Sequence, residues 1–462
     1  MMFEFGRELM RFFGGDTFIA PRDGLTGGDQ TLLELLDLRL LHNEARACDV
    51  AAGRIHAKDR AQRKLEAAIA WREVARRSGD AVALRKAAAT AENAAELFDR
   101  RRRPDGWARA RCEQAYCAML GAELYGDDGL FAAAEIAFRE AGQAARGGIG
   151  RVLSDIGILA VDAMTRPAPK DAQAARIAAA RFVQPITDLS GMARRTRPAR
   201  MLAIEARMIR IDLLLGWGAC FADRSLLQDA LTETNTALDV LQADYEPVTF
   251  GRITSLKGQA LALLGEMTGK AESLLEGISL LSGLLKDFSR DQSPLDWARM
   301  QTALAQALQA LGEATSNEHS FEQAVTSYDR ASLVLKTVPA LALSAFVTSN
   351  RAICLSRSAE LSGDLTVLDA AETAFRMELA GFAAGRNPTA WALLQVNLAR
   401  LYEARMDITG VDKGERAGAV TALSAALDVF SEQGLRSLSV VASDALNRLS
   451  EPGRARAVPP RP

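Results

Sequence analysis

The feature of this sequence that most restricts its fold is an internal repeat with a period of 47 residues. The stretch PLDWARMQTALAQALQALGE starts at Pro294; FGRITSLKGQALALLGE precedes it from Phe250, and PTAWALLQVNLARLYEAR follows it from Pro388 in the same phase. A shift of 47 residues places Phe250 on Trp297. Repeats of roughly this length are typical of stacked helical units, so we expect hairpins of helices that pack one upon the next.

The spacing of apolar residues inside each repeat predicts α-helices. Trp297, Met300, Leu304, Leu308 and Leu311 lie three or four residues apart and form one stripe on a helix. The same periodicity continues along the chain and predicts about eighteen helices, with continuous helices over 31–52 and 171–190 and a helix over 294–312 that ends at a glycine.

The second helix of each repeat carries a small-large-small pattern. The trios are Ala324, Tyr328 and Ala331; Ala230, Thr234 and Ala237; and Ala134, Phe138 and Ala141. Small residues let this helix approach the first helix closely, and the larger side chain fills the gap to the next unit. The interval from Trp107 to Ala134 equals that from Trp297 to Ala324, which indicates the same hairpin in both halves of the chain.

These patterns resemble the tetratricopeptide repeat (TPR) family in a long-period bacterial form. The small-residue position of the family's first helix matches Ala305, Ala352 and Ala399. Its second-helix signature of small, aromatic and small residues matches the two trios that are centred on Tyr328 and Phe138. The resemblance implies an all-α fold: an α-solenoid of antiparallel helical hairpins wound into a right-handed superhelix. A HEAT-like α-solenoid is the alternative, because its period is similar.

Four regions are predicted. Residues 1–30 form an amphipathic segment and a glycine-rich tether, and residues 31–196 form divergent helical repeats. Residues 197–450 form the cleaner TPR-like array, and residues 451–462 form a Pro- and Arg-rich disordered tail.

The resemblance implies partner binding, because the first helices of TPR-like hairpins line a concave face that holds partner proteins or peptides. The family's groove positions fall on Arg109, Tyr116, Arg252, Gln259, Arg299, Gln306, Gln309 and Arg400. Arginine and glutamine side chains there can bind the carboxylates and carbonyls of an extended chain. The alternative for any one of these residues is a solvated helix side chain.

Composition and motifs argue against other function classes. The chain has 56 basic and 58 acidic residues, so no net field attracts nucleic acid. It contains no nucleotide-binding, hydrolase or metalloprotease motif, and its three histidines form no metal-ligand cluster. Its five scattered cysteines favour a reducing, cytoplasmic location. We therefore predict a non-enzymatic scaffold or adaptor with no cofactor, no metal and no nucleic-acid partner.

The N-terminal segment poses a separate question. Phe5, Leu9, Phe12 and Phe13 would share one face of a helix, and glycines follow them. Such a segment can cap the exposed end of a solenoid, contact a second copy of the chain, or lie on a membrane surface. The last case gives the alternative function: an assembly or regulatory factor held at a membrane surface by this segment.

Overall fold

A computed structural model of the protein describes residues 31–54, 59–127, 129–165, 169–193, 197–338, 340–381, 388–432 and 436–450. These residues form α-helices joined by turns, and none of them lies in a β-strand. The predicted contact segment with Phe5, Leu9, Phe12 and Phe13 lies outside the described residues, as does the predicted C-terminal tail.

The helices follow one another with few residues between them. In the N-terminal half they are α1 (Thr31–Glu34), α2 (Leu38–Ala52), α3 (Arg60–Ser78), α4 (Ala81–Leu97), α5 (Pro104–Tyr125), α6 (Gly129–Ala144), α7 (Gly148–Thr165), α8 (Ala172–Ala180), α9 (Val183–Met192), α10 (Arg197–Cys220) and α11 (Arg224–Leu238). In the C-terminal half they are α12 (Pro247–Thr268), α13 (Ala271–Asp287), α14 (Pro294–Thr315), α15 (Glu318–Leu335), α16 (Leu341–Ser362), α17 (Leu365–Gly381), α18 (Pro388–Thr409), α19 (Glu415–Glu432) and α20 (Arg436–Ser450).

Consecutive helices form hairpins. The first helices α12, α14, α16 and α18 are each 22 residues long and begin 47 residues apart. The second helices α13, α15 and α17 also begin 47 residues apart, and turns of only two residues precede each of them. The short turn folds each second helix back along its first helix, which confirms the predicted all-α solenoid of helical hairpins.

The chain forms two compact units. The first comprises Met1–Ala307 and Leu333–Leu343, and the second comprises Leu308–Ser332 and Ser344–Pro462. The predicted boundary between residues 196 and 197 therefore falls inside the first unit.

The small-large-small trios form the contact between paired helices. Ala324, Tyr328 and Ala331 are fully buried in the second unit, and Ala134 and Phe138 are fully buried in the first. Burial of each large side chain contributes about 1.5–3 kcal/mol to folding. The trios are thus the packing residues that the sequence pattern predicts.

A residue in the left-handed backbone conformation follows the end of each successive first helix. A positive φ angle recurs every 47 residues, at Ala222, Gly269, Ser316, Gly363 and Gly410. This conformation suits glycine, because a Cβ atom raises its energy. Two of the five turns therefore carry a residue that fits the turn poorly.

The predicted end of the helix at Gly312 is wrong. Helix α14 continues to Thr315, and the residue with positive φ is Ser316. Gly312 instead lies at a helix crossing, where an added Cβ atom would come within 2.8 Å of the Phe321 ring. The glycine is required by close packing between α14 and α15, not by the turn.

Two helices predicted as continuous are interrupted. The span 31–52 breaks because Asp37 caps a new helix, and its side chain accepts a hydrogen bond from the backbone N–H of Leu40 at 2.7 Å. The span 171–190 breaks after Ala180, and the next helix has Pro185 in its first turn. Proline has no N–H to continue the backbone hydrogen bonding from the preceding helix.

Candidate partner-binding surface

The first helices present equivalent side chains at two repeat positions. The Arg252 position holds Arg252, Arg299, Phe346 and Leu393, each 47 residues from the next. The Gln259 position, two helical turns further along each helix, holds Gln259, Gln306, Ile353 and Arg400. Most of the predicted groove residues belong to these two rows, so their surroundings can be compared from repeat to repeat.

Arg252 lies at the centre of a buried ion-pair network in the first unit. Its Nε and Nη2 atoms donate to Oδ2 of Asp296 at 2.9 and 2.7 Å, and Nη2 also lies 3.1 Å from Oε1 of Glu73. The residue is only 6% exposed. Burial alone would raise the pKa of Asp296, but the charge and hydrogen bond of Arg252 outweigh it and lower that pKa.

A second arginine connects this network to the beginning of the described chain. Arg77 is fully buried, and its Nε donates to Oε1 of Glu73 at 2.8 Å. Its two Nη atoms donate to the carbonyl oxygens of Leu36 and Leu33, at 2.9 and 3.1 Å. Arg77 thus binds one carbonyl group of α1 and one of the turn that follows it.

Glu34 joins α1 to a helix more than two hundred residues away in the sequence. Its carboxylate accepts hydrogen bonds from the N–H and the Oγ1 of Thr249, at 2.9 and 2.6 Å. Thr249 lies in the first turn of α12, so Glu34 caps that helix from another part of the chain. Burial, followed by the nearby charge of Glu73, raises the pKa of Glu34.

Helices α3, α5 and α10 are joined by the same kind of contact. Arg72 donates from Nε to Oε1 of Glu113 at 2.5 Å, and its Nη1 lies 3.5 Å from Oε1 of Glu205. Arg76 donates to that same Glu205 oxygen at 2.9 Å. These pairs fix α3 between α5 and α10.

Arg299 and Asp212 occupy the more open part of the network. Arg299 forms ion pairs with Glu123 and, at 3.5 Å, with Asp296. The carboxylate of Asp212 touches solvent, but the surrounding protein removes much of its hydration. This desolvation, helped by the charge of Glu123, raises the pKa of Asp212 to about 7.

Little space remains within the network. The cavity bounded by Glu34, Arg72, Glu73, Glu205 and Arg252 has a volume of about 30 Å³. That volume holds one or two water molecules. The charged groups therefore neutralise one another and leave no room for a polypeptide among them.

Arg109 and Tyr116 lie on α5 in the first unit. The Tyr116 ring packs edge-on against Phe138 with centroids 5.1 Å apart, and the Arg72 guanidinium lies 5.7 Å from its centroid. Arg109 is half-buried, and desolvation lowers its pKa despite the nearby charge of Asp105. Tyr116 is thus held by contacts within the chain.

The predicted glutamines differ in accessibility. Gln259 is half-buried, and its amide donates weakly to Ser255 of the same helix at 3.4 Å. Gln309 accepts a hydrogen bond from the Tyr328 hydroxyl at 3.3 Å. Gln306 is exposed. The partner-binding role of each remains a prediction.

The second unit has a different set of side chains at the same two positions. Phe346 and Leu393, at the Arg252 position, are 39% and 40% exposed. Ile353, at the Gln259 position, is half-buried, and Arg400 is exposed. Three apolar side chains and one cation therefore occupy these two positions on α16 and α18. We call these four residues, Phe346, Leu393, Ile353 and Arg400, the second-unit patch.

Phe346 and Leu393 are not among the groove residues predicted from the sequence. The 47-residue register identifies them, because both lie at the position of two predicted arginines. The prediction favoured polar residue types at the groove positions and passed over these apolar ones.

Helices α16, α17 and α18 form one continuous core beneath this patch. Ala352 of α16, Phe375 of α17 and Leu398 of α18 belong to the same buried cluster. The two first helices are therefore held together by packing, and the patch rests on ordered secondary structure.

Within the described ranges, the structure supports neither a metal site nor a membrane-spanning helix. No group of histidine, cysteine or acidic side chains there is arranged to hold a metal ion. No helix among the described residues is long and apolar enough to cross a membrane. Cys112 and Cys117 are buried, which is common for structural thiols.

The chain matches no protein-family model and no curated protein sequence. Among solved structures it is similar to a Rap protein complexed with competence and sporulation factor, with 9% identity over 85% of this chain and 98% of that chain and a TM-score of 0.46. It is also similar to a circular tandem repeat protein with a novel repeat topology, with 15% identity over 91% of this chain and 96% of that chain and a TM-score of 0.26. Scores this low bear on neither activity nor partner.

Proposed function

We propose that this protein is a non-enzymatic scaffold that binds a polypeptide partner on the first helices of its second unit. The observation that carries the proposal is the exposure of Phe346 and Leu393 at the Arg252 position. Apolar side chains that together form one exposed patch, rather than single exposed ones, are typical of protein interaction sites.

The chemistry of the second-unit patch indicates what the partner offers. Phe346 and Ile353 lie two turns apart on α16, and Leu393 and Arg400 lie two turns apart on α18. A partner segment with apolar side chains and one carboxylate satisfies both rows, because the guanidinium of Arg400 can bind the carboxylate in a bidentate manner. Arg252 and Arg299 serve to hold the first unit together.

A peptide selection tests this proposal and does not require the partner to be named. Peptides are selected from a random phage-displayed library on the full-length protein, and their affinities are measured by fluorescence anisotropy. We expect Phe346→Asp and Leu393→Asp each to weaken binding at least about tenfold, since a buried apolar side chain contributes about 1.5–3 kcal/mol. Arg400→Gln should weaken only the peptides that carry an acidic residue.

Leu365→Asp is the matched control. Leu365 is 39% exposed, like Phe346, but it begins the second helix α17 and lies outside the patch. Its substitution should leave peptide affinity unchanged. If the selected peptides bind equally well to all of these variants, the second-unit patch is not the binding site.

A further inference from the structure

An apolar groove in the first unit runs along α12 and α13. Its volume is about 880 Å³, which is within the range of sites that enclose an organic ligand. Phe250 and Thr254 of α12, Leu280 and Leu284 of α13, and Phe288 directly after α13 line it. None of these residues takes part in the ion-pair network, so the groove is separate from it.

The groove contains polar groups without partners among the described residues. The Oγ1 atom of Thr254 is buried and makes no hydrogen bond there. The groove also carries the carboxylates of Asp244, Glu276 and Asp287 and the ammonium of Lys257, and none of these groups forms an ion pair within the described part of the chain. Because the carboxylates outnumber the single cation, an occupant with apolar side chains and some basic ones is the best match.

The described chain begins beside this groove. Gln292 lines the groove, and its Nε2 donates to the carbonyl oxygen of Glu34 at 2.6 Å. The backbone N–H of Leu38 donates to the carbonyl oxygen of Asp291 at 3.2 Å. Helix α1, with which the described chain begins, therefore lies close to the groove.

The preceding sequence has a segment that matches the groove. Phe5, Leu9, Phe12 and Phe13 are spaced as one apolar face. Arg7 and Arg11 supply cations for the rim carboxylates, and Glu4 and Glu8 supply carboxylates that can pair with Lys257. The tether from Phe13 to Thr31 can extend up to about 60 Å, so the segment reaches a neighbouring groove easily. A tethered segment also has a high effective concentration at a nearby site.

We propose that this N-terminal segment binds in the α12–α13 groove of its own chain. The apolar face lies against Phe250, Leu280 and Leu284, and the arginines face the rim. Docking covers the exposed apolar surface of the groove and ties the start of the chain to α12 and α13.

Gly283 provides a variant that blocks the groove without unfolding the protein. It lines the groove, and a Cβ atom added there would meet no other atom within 4 Å. Because glycine weakens a helix interior, Gly283→Trp places a large side chain in the groove without loss of helix propensity. Leu275→Trp is the matched control, since Leu275 lies on the same helix, is 52% exposed and is outside the groove.

Hydrogen–deuterium exchange on the full-length chain tests the proposal. In the wild-type protein, residues 3–13 should exchange more slowly than in a synthetic peptide of residues 1–16. Gly283→Trp should abolish this protection, and Leu275→Trp should retain it. From the other side of the contact, Phe12→Ser/Phe13→Ser should speed exchange in residues 276–288, with circular dichroism confirming that each variant is folded.

Several outcomes overturn the proposal. Residues 3–13 that exchange as fast as the free peptide show no docking. Protection that survives Gly283→Trp places the segment elsewhere. Protection that disappears on dilution indicates a second copy of the chain, and protection that arises only with added phosphatidylcholine–phosphatidylglycerol vesicles indicates a membrane surface.

Discussion

Arg252 in the first unit and Phe346 in the second occupy the same repeat position but meet opposite surroundings. Arg252 is 6% exposed and paired with carboxylates of its own chain, whereas Phe346 is 39% exposed and apolar. The repeat register thus determines where a side chain is placed, and the helices that lie opposite determine its role. In this protein, equivalent positions hold an ion-paired arginine in one unit and exposed apolar side chains in the other.

The largest expected effect tests the internal role of the first-unit arginine. Arg252→Met removes the nearest counter-charge of the buried Asp296 and one of the two counter-charges of Glu73, so the free energy of unfolding should fall by about 3–5 kcal/mol. Urea denaturation followed by circular dichroism measures it. Replacing both partners, in Arg252→Met/Asp296→Leu, should recover part of the loss.

Arg400→Met is the control for this comparison, because Arg400 is exposed on α18. Its substitution should change the free energy of unfolding by less than about 0.5 kcal/mol. Equal destabilisation by both variants would contradict the difference between the two units.

The second prediction replaces the exposed apolar side chain of Phe346 with a cation. Phe346→Arg gives the second unit the side chain that the first unit has at this position. It does not supply the carboxylates that pair with Arg252 in the first unit. We expect affinity for the selected peptides to fall at least about tenfold while the free energy of unfolding changes by less than about 1 kcal/mol. Anisotropy titration and urea denaturation on the same samples separate the two effects.

The third prediction concerns pH. Asp212 has a pKa raised from 3.8 to about 7 in the folded protein. Between pH 4 and 7 the folded state therefore keeps a proton that the unfolded chain has released, and stability falls as pH rises through this window. Asp212→Asn should make this slope shallower and stabilise the protein at pH 8 by about 1 kcal/mol at most, since solvent screens the exposed carboxylate.

Thermal denaturation between pH 4 and 8 measures this difference. Asp229→Asn is the control, because Asp229 is exposed on α11. The melting temperature of Asp229→Asn should vary with pH as that of the wild-type protein does. If the stability of Asp212→Asn depends on pH in the same way as that of the wild-type protein, Asp212 does not cause the predicted pH dependence.

The smallest effect concerns a feature that the two units have in common. Ala222 in the first unit and Ser316 in the second have φ angles of 47° and 51° at the turn position where other repeats have glycine. Substituting glycine relieves the left-handed strain but gives the unfolded chain more freedom, for a net gain of about 0.5–1 kcal/mol each. Differential scanning calorimetry should show similar gains for Ala222→Gly and Ser316→Gly, and a loss for Gly363→Ala.

Much of the fold could be predicted because its signals are local. The trio of Ala324, Tyr328 and Ala331 predicts its own burial, since small residues at helical spacing permit close helix contact. The wrong helix end at Gly312 also came from a local signal. Gly312 has the residue type of a turn but the surroundings of a helix crossing, and only the position of the Phe321 ring distinguishes the two.

The candidate site was less predictable. The sequence placed Arg252, Arg299 and Gln306 in equivalent rows, but it contains no sign of what lies across from them. Gln306 is exposed, whereas Arg252 meets Glu73, a residue 179 positions earlier in the chain. Pattern analysis cannot detect one isolated pair at that separation, because no periodicity connects its members.

By itself, the sequence determined the helical hairpin, its period and the residues that pack its two helices together. These follow from interactions between residues a few positions apart, which the 3.6-residue helical turn brings onto one face. Only the tertiary structure decided which repeats bury their arginines and which leave apolar side chains in solvent. That outcome depends on distant helices meeting, as Glu34 meets Thr249 across 215 residues, and on the free energy of pairing charges away from water.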